Sequence, residues 1–157
     1  GSAGHGARGA VQIVGTAGIG TSTVAAFWVH EHRDRFPDGQ LYVRMGGSYR
    51  TPPSITTVLL RLLQDLGVPA SEIPQYDLPT LTRVYRSVTA DRALVIGVDD
   101  VPPELDVTPL IPDGRDSLLV VTARTENTFL TALHVPVVRP APLVTANERR
   151  GPEVPPD

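Results

Sequence analysis

Apolar residues along this chain recur in two rhythms. Short runs at Ala10–Val14, Gln40–Met45, Arg92–Val98, Ser117–Thr122 and Val135–Val138 are bounded by glycine, proline or acidic residues, and read as strands. Between them Ile55, Val58, Leu59, Leu62, Leu63 and Leu66 follow helical spacing, with Ser54 placed to cap the helix and Gly67 to end it. Leu81, Val84, Tyr85 and Val88 form a second stripe, predicting a helix from about Leu78 to Ala90. An earlier helix is predicted from Ser22 to about Arg35. Its apolar residues Val24, Ala25, Phe27, Trp28 and Val29 precede a charged last turn, and Phe36-Pro37-Asp38-Gly39 stops it. A short helix is expected near Asn127–Leu133. Strands alternating with helices predict an α/β fold, a three-layer core with a mostly parallel five-stranded sheet. Residues 1–9 read as a flexible segment, 10–145 as the core and 146–157 as a Pro-rich charged tail.

Composition narrows the chemistry more than the fold. The 157 residues suit one domain with a full core. A net charge of -3 argues against direct nucleic-acid binding, whose surfaces are usually strongly basic. No run reaches the roughly 18 apolar residues of a membrane helix, and no signal-peptide pattern appears. A cytoplasmic setting and no membrane partner are therefore expected. Cysteine is absent, which excludes disulfides and thiolate chemistry. All 14 Lys-or-Arg positions are Arg, so lysine general bases and Schiff-base chemistry are excluded too.

The candidate chemistry begins at Val11–Thr23, which reads as strand, glycine-rich turn and helix start. Gly15, Gly20 and Ser22 sit at the spacing of G-x-x-x-x-G-K-[ST], but Thr21 stands where the lysine belongs. In such a loop, glycines let the backbone close around an anion, and N–H groups at the helix start point at phosphate oxygens. Gly15, Gly18, Gly20, Thr21, Ser22 and Thr23 are thus the candidate nucleotide-binding residues. Leu94–Val98 ending in Asp99-Asp100 has the form of a strand that delivers acid to a metal. Ser22 and Asp99 are the candidate Mg²⁺ ligands. Asp100 is placed to position a water, and Thr122 and Arg124, after the next strand, to sense a γ-phosphate. Asp100 and Arg124 are the candidate catalytic residues. A plainer reading makes Gly15–Gly20 an ordinary turn and Asp99-Asp100 a loop cap.

These residues, in this order, resemble the P-loop nucleotide-binding domain of STAND-type NTPases, the NB-ARC group. More narrowly they resemble actinobacterial regulators related to antibiotic regulatory proteins. The resemblance runs through Gly15–Val24, Arg33–Val43, Leu66–Pro69, Tyr85–Ser87, Leu94–Val101, Pro109–Pro112 and Leu119–Arg124, with Phe36–Val43 the most specific piece. It implies an ATP/ADP-dependent switch set between an effector domain, often DNA-binding, and helical repeats. Gly18, Gly20, Ser22 and Thr23 would bind phosphate, Asp99 would serve magnesium, and Arg124 would sense the γ-phosphate. Three features depart from the family: Thr21 replaces the lysine, no Gly-Arg-Glu segment precedes Ala10, and no lid portions follow residue 145. A fragment or a degenerate stand-alone core is therefore expected.

Replacing an ammonium by a hydroxyl loses charge-assisted contacts of roughly 1.5–3 kcal/mol each. Two such contacts cost about 10²–10⁴ in affinity. The expected function is therefore a pseudo-NTPase, a regulatory or interaction module in transcriptional control, with ATP/ADP and Mg²⁺ bound weakly or not at all. Its expected partners are effector or sensor domains of a longer protein, or a separate protein. The alternative is a functional ATP/ADP-binding switch with slow hydrolysis. A more distant one is an α/β serine hydrolase using Ser22, Asp99 and His134, although Gly20–Val24 lacks the last glycine of G-x-S-x-G. A nicotinamide-dependent dehydrogenase fits less well, since strand two carries no acid for a ribose. His30-Glu31-His32 fails as a metal site because residues two apart on a helix diverge. Phe27 and Trp28 are expected in the core, and Arg149-Arg150 in a solvated tail.

Overall fold

The computed structural model describes residues 9–15, 21–46, 51 and 53–141. Its strands are β1 (Ala10–Val14), β2 (Gly39–Arg44), β3 (Leu94–Asp99), β4 (Leu118–Ala123) and β5 (Val137–Val138). Its α-helices are α1 (Thr21–Glu31), α2 (Ile55–Asp65), α3 (Leu78–Thr89) and α4 (Thr128–Ala132), with single 3-10 turns at Arg33–Arg35, Ala70–Glu72 and Thr108–Leu110. The five strands lie in the order β2-β3-β4-β1-β5, and every pair is parallel. The α/β class and the five-stranded sheet expected from the alternating pattern are what the chain forms.

Strand alternation sorts the core into two layers. Leu94, Ile96 and Val98 of β3 and Leu119 and Val121 of β4 face a large cluster built on α2 and α3. Leu59, Leu62, Leu63, Leu81 and Tyr85 supply its fully buried helical side. Val95, Val120 and Ile13 point the other way, onto Val24, Ala25, Trp28 and Val29 of α1. Among the described residues α2 and α3 thus cover one face, and α1, with Phe36 after it, packs on the other. That leaves Tyr42 exposed on the same face beside it.

The helix ends follow local chemistry. The Ser54 hydroxyl accepts from the Thr57 N–H at 3.1 Å, the cap that the sequence predicts. Gly67, with φ of +93°, ends α2 in a conformation that a side chain would strain. Three expectations need correction. The first helix stops at Glu31, and Arg33–Arg35 tightens into a 3-10 turn rather than continuing to Arg35. The last strand is only Val137–Val138. Phe27, expected in the core, is 64% exposed. One helix buries one stripe, and the stripe of α1 is Val24, Ala25, Trp28 and Val29.

The β1 run carries a fully buried Gln12. Its Oε1 accepts from the Asn127 N–H at 2.8 Å, and its Nε2 donates to Thr131 at 3.1 Å. Asn127 caps α4 by accepting from the N–H groups of Phe129 and Leu130, and donates to the carbonyls of Pro102 and Leu105. This network ties the loop after β3, α4 and β1 together at the carboxyl ends of the strands.

Candidate functional site

The strand register brings one polar row to the carboxyl edge of the sheet. Arg44 stands opposite Asp99, Asp99 bonds Thr122 on the next strand, and Thr122 stands opposite Ile13. Ser22, in the first turn of α1, reaches this row from above. Its Oγ donates to Asp99 Oδ1 at 2.5 Å, joining residues 77 positions apart. The Thr122 hydroxyl donates to the same Oδ1. Arg44 approaches the other oxygen, with Nε 3.6 Å from Oδ2. The strand–helix packing that buries the apolar layer therefore also places Ser22 over Asp99.

Asp99 is 4% exposed. Burial pushes its pKa up, but hydrogen bonding by Ser22, Thr122 and Tyr42 and the Arg44 charge outweigh it, so the carboxyl lies below its ordinary range. Asp99 is therefore a carboxylate at neutral pH. The Tyr42 phenol is pushed up by burial and by the Asp99 charge, and stays protonated. A buried carboxylate beside a hydroxyl is a hard-oxygen donor pair of the type that Mg²⁺ takes. The residues present thus fit that ion.

Asp100 points elsewhere. Its φ is +62°, which is uncommon for a residue with a side chain. Its N–H donates to Thr122 Oγ1 at 2.9 Å, so one hydroxyl links both aspartates. The Asp100 carboxylate lies against Gly46, where a Cβ would sit 1.8 Å from Oδ2. Arg124 Nε is 4.0 Å from Asp100 Oδ1. The two residues line an open cleft of about 360 Å³ with Met45, Gly46, Pro102 and Pro103. A second cavity, of about 250 Å³, opens from the Ser22–Asp99 cluster between α1 and the β2–β3 side, floored by Val95 and Gly97 and walled by Ala25, Val29 and Tyr42.

The structure therefore brings Ser22, Asp99 and Thr122 together, with Asp100 and Arg124 beside them. Gly15 lies at the end of β1, its N–H donating to the Ala123 carbonyl at 2.9 Å. Thr21 opens α1, and Thr23 is exposed one position beyond Ser22. Gly18 and Gly20 lie outside the described residues, as do residues 1–8 and 142–157. His134, the hydrolase candidate, sits in the turn after α4 with φ of +62°, and no hydrogen bond joins it to Ser22 or Asp99. His32 stacks on Trp28 and bonds its carbonyl. Among the described residues no group of three or more His, Cys, Asp or Glu is placed to hold a metal. No described helix is long and apolar enough to cross a membrane.

Sequence reasoning missed Arg44 and Tyr42. Both belong to β2, and their relation to Asp99 depends on β2 pairing in parallel register with β3. The signal present in the sequence was an arginine at the carboxyl end of a strand, where ligands of such sheets gather.

No family model matches the chain. It is 35% identical over 138 residues to "Regulatory protein AfsR" of Streptomyces coelicolor, a match that covers 85% of this chain and 14% of that protein. It is 33% identical over 123 residues to "Regulatory protein AfsR" of Streptomyces griseus, covering 78% of this chain and 12% of that one. The chain is thus homologous to a segment of much longer regulatory proteins, spanning 14% and 12% of their lengths.

Proposed function

We propose that this segment is the nucleotide-site core of a regulatory protein acting in transcriptional control, including control of antibiotic production, and that it has given up catalysis. In this reading it is a STAND-type, NB-ARC-like pseudo-NTPase. It holds ATP or ADP more weakly than micromolar, hydrolyses neither to a useful extent, and works through effector or sensor domains or a protein partner in the cytoplasm.

The contact between Ser22 and Asp99 carries the reading, because it joins a helix-start hydroxyl to a strand-end acid at 2.5 Å. Similarity to the two AfsR proteins supports the regulatory part. Thr21, in a chain without lysine, supports the weak binding. Ser22 and Asp99 would hold Mg²⁺, the first N–H groups of α1 would face phosphate, and Arg124 would approach the terminal phosphate. Magnesium, when bound, supplies charge neutralisation at the phosphate oxygens. Asp100 would orient water, but without a lysine at the start of α1 the charge that develops during phosphoryl transfer loses a principal stabiliser, so turnover is negligible.

A thermal-unfolding series with ATP and ADP, with and without Mg²⁺, tests this hypothesis. A ligand of the folded state raises Tm by linkage, by an amount that grows with its concentration over Kd. A small rise at millimolar nucleotide, larger in Thr21→Lys, is expected. Micromolar affinity in the unaltered chain, or turnover that Asp99→Ala abolishes, would overturn the pseudo-NTPase reading in favour of a working switch. No rise even in Thr21→Lys would leave an interaction module without a nucleotide.

A further inference from the structure

We propose that Arg44 supplies the positive charge that position 21 lacks, gripping the terminal phosphate of a nucleoside polyphosphate at this site. The inference rests on the reading of Ser22 and Asp99 as a phosphate and magnesium site, and adds the residue that neutralises the anion there.

With no lysine in the chain, its permanently charged side-chain cations are all arginines. Most of the described arginines stand in the wrong place. Arg33 and Arg35 follow the far end of α1. Arg61, Arg83 and Arg86 lie on α2 and α3, the helices of the opposite face. Arg92 and Arg115 precede β3 and β4, at the amino edge of the sheet. Arg139 pairs with Glu126. Arg124 reaches the carboxyl edge beside Asp100, where it is the proposed γ-phosphate sensor, but it makes no contact with the Ser22–Asp99 pair at the start of α1. Arg44 ends β2 at the same edge, in register with Asp99.

Its geometry suits a second task. Arg44 Nε stands 3.6 Å from Asp99 Oδ2, whereas Ser22 holds Oδ1. The start of α1 and the guanidinium therefore flank one carboxylate from opposite oxygens. At 3.6 Å the pair is a loose charge contact rather than a two-pronged hydrogen-bonded fork. A guanidinium carries five N–H donors, so one edge can stay on Asp99 while the other meets an anion. The Arg44 side chain is 56% exposed, with Tyr42 and Asp99 as its neighbours among the described residues, so part of the guanidinium is open to an anion.

The test is calorimetric titration of ATP and AMP, with Mg²⁺, into the unaltered chain, Arg44→Gln, Arg44→Lys, Thr21→Lys and the double variant Thr21→Lys/Arg44→Gln. Losing one charge-assisted contact is expected to weaken ATP by roughly 10- to 100-fold in Arg44→Gln. AMP, which lacks the terminal phosphate, is expected to change little. Arg44→Lys keeps the charge and retains most of the ATP affinity, and Thr21→Lys restores ATP binding in the Arg44→Gln background. Denaturation midpoints report folding, and Arg44→Met, which keeps the stem without the charge, carries the same comparison if Arg44→Gln does not fold. Equal ATP affinity in the unaltered chain and Arg44→Gln overturns the role of Arg44 and leaves the nucleotide reading standing. Absence of ATP binding in both the unaltered chain and Thr21→Lys overturns the nucleotide reading, and this inference with it.

Discussion

Replacing Thr122 by valine keeps the shape of a β-branched residue on a buried strand and removes one oxygen. That oxygen has two partners, Asp99 Oδ1, to which it donates, and the Asp100 N–H, from which it accepts. A hydrogen bond to a charged group contributes about 1.5–3 kcal/mol, and a stranded N–H costs about 1 kcal/mol more. The expected loss at pH 7 is therefore about 2–4 kcal/mol, or roughly 5–15 °C in Tm for a domain of this size. Part of it depends on the charge of Asp99, whose folded pKa lies below its ordinary 3.8. A depressed carboxyl contributes stability that is full above the unfolded pKa and vanishes as pH falls through the folded one. Thr122→Val raises the folded pKa back toward the ordinary value. The stability gap between the two proteins should therefore be widest at neutral pH and shrink below about pH 4, leaving the share due to the Asp100 N–H. Urea denaturation at pH 7 and pH 3 measures both quantities. Thr122→Ser, which keeps the hydroxyl, should preserve the pH dependence. A gap under about 0.5 kcal/mol at pH 7, well below the ordinary worth of one such bond, would refute the shared-oxygen account. So would a gap that does not change with pH.

Three further outcomes follow from buried polar groups and close backbone approaches. Tyr85→Phe removes a buried hydroxyl that donates to the Leu110 carbonyl at 2.7 Å, so denaturant unfolding should show a loss of about 1–2 kcal/mol. Asn127→Asp keeps the acceptor that caps α4 but loses the Nδ2 donors to Pro102 and Leu105. It should cost about 2–4 kcal/mol by the same measurement, and retention of full stability would show that those two bonds contribute nothing. At Gly114 a Cβ would lie 2.4 Å from the Arg92 carbonyl and 2.5 Å from that of Thr89, whereas at Gly67 it would meet nothing but carry a φ of +93°. Gly114→Ala is therefore expected to destabilise by about 1–3 kcal/mol, more than the roughly 1 kcal/mol of Gly67→Ala. Equal Tm values would contradict that ranking.

The fold was legible where burial and periodicity agree. Ile55 to Leu66 make a clean stripe, and β3 and β4 are runs with no competing pattern. The end of the first helix is not legible, because the charges of Arg33-Asp34-Arg35 do not by themselves distinguish a last α-turn from a 3-10 turn. The exposure of Phe27 is hidden because α1 is apolar on more than one side, so only the packing partner picks the buried stripe. Gln12 gave no sign of its burial, since its partners Asn127 and Thr131 lie more than a hundred positions away. At the site, Ser22 and Asp99 could be named because each ends a recognisable local element. Arg44 could not, because its neighbour is set by strand order, which a motif does not encode.

Thr122 has a single hydroxyl proton, and it is given to Asp99, which fixes the direction of the chain from the Asp100 amide through the hydroxyl to the carboxylate. A change in what Asp99 carries, whether proton, metal or guanidinium, alters how strongly that hydroxyl polarises, and so how strongly it draws on the amide. The Asp100 backbone proton is therefore a built-in spectroscopic reporter. Its resonance frequency records the occupancy of a buried acid that no dye or titrant needs to reach.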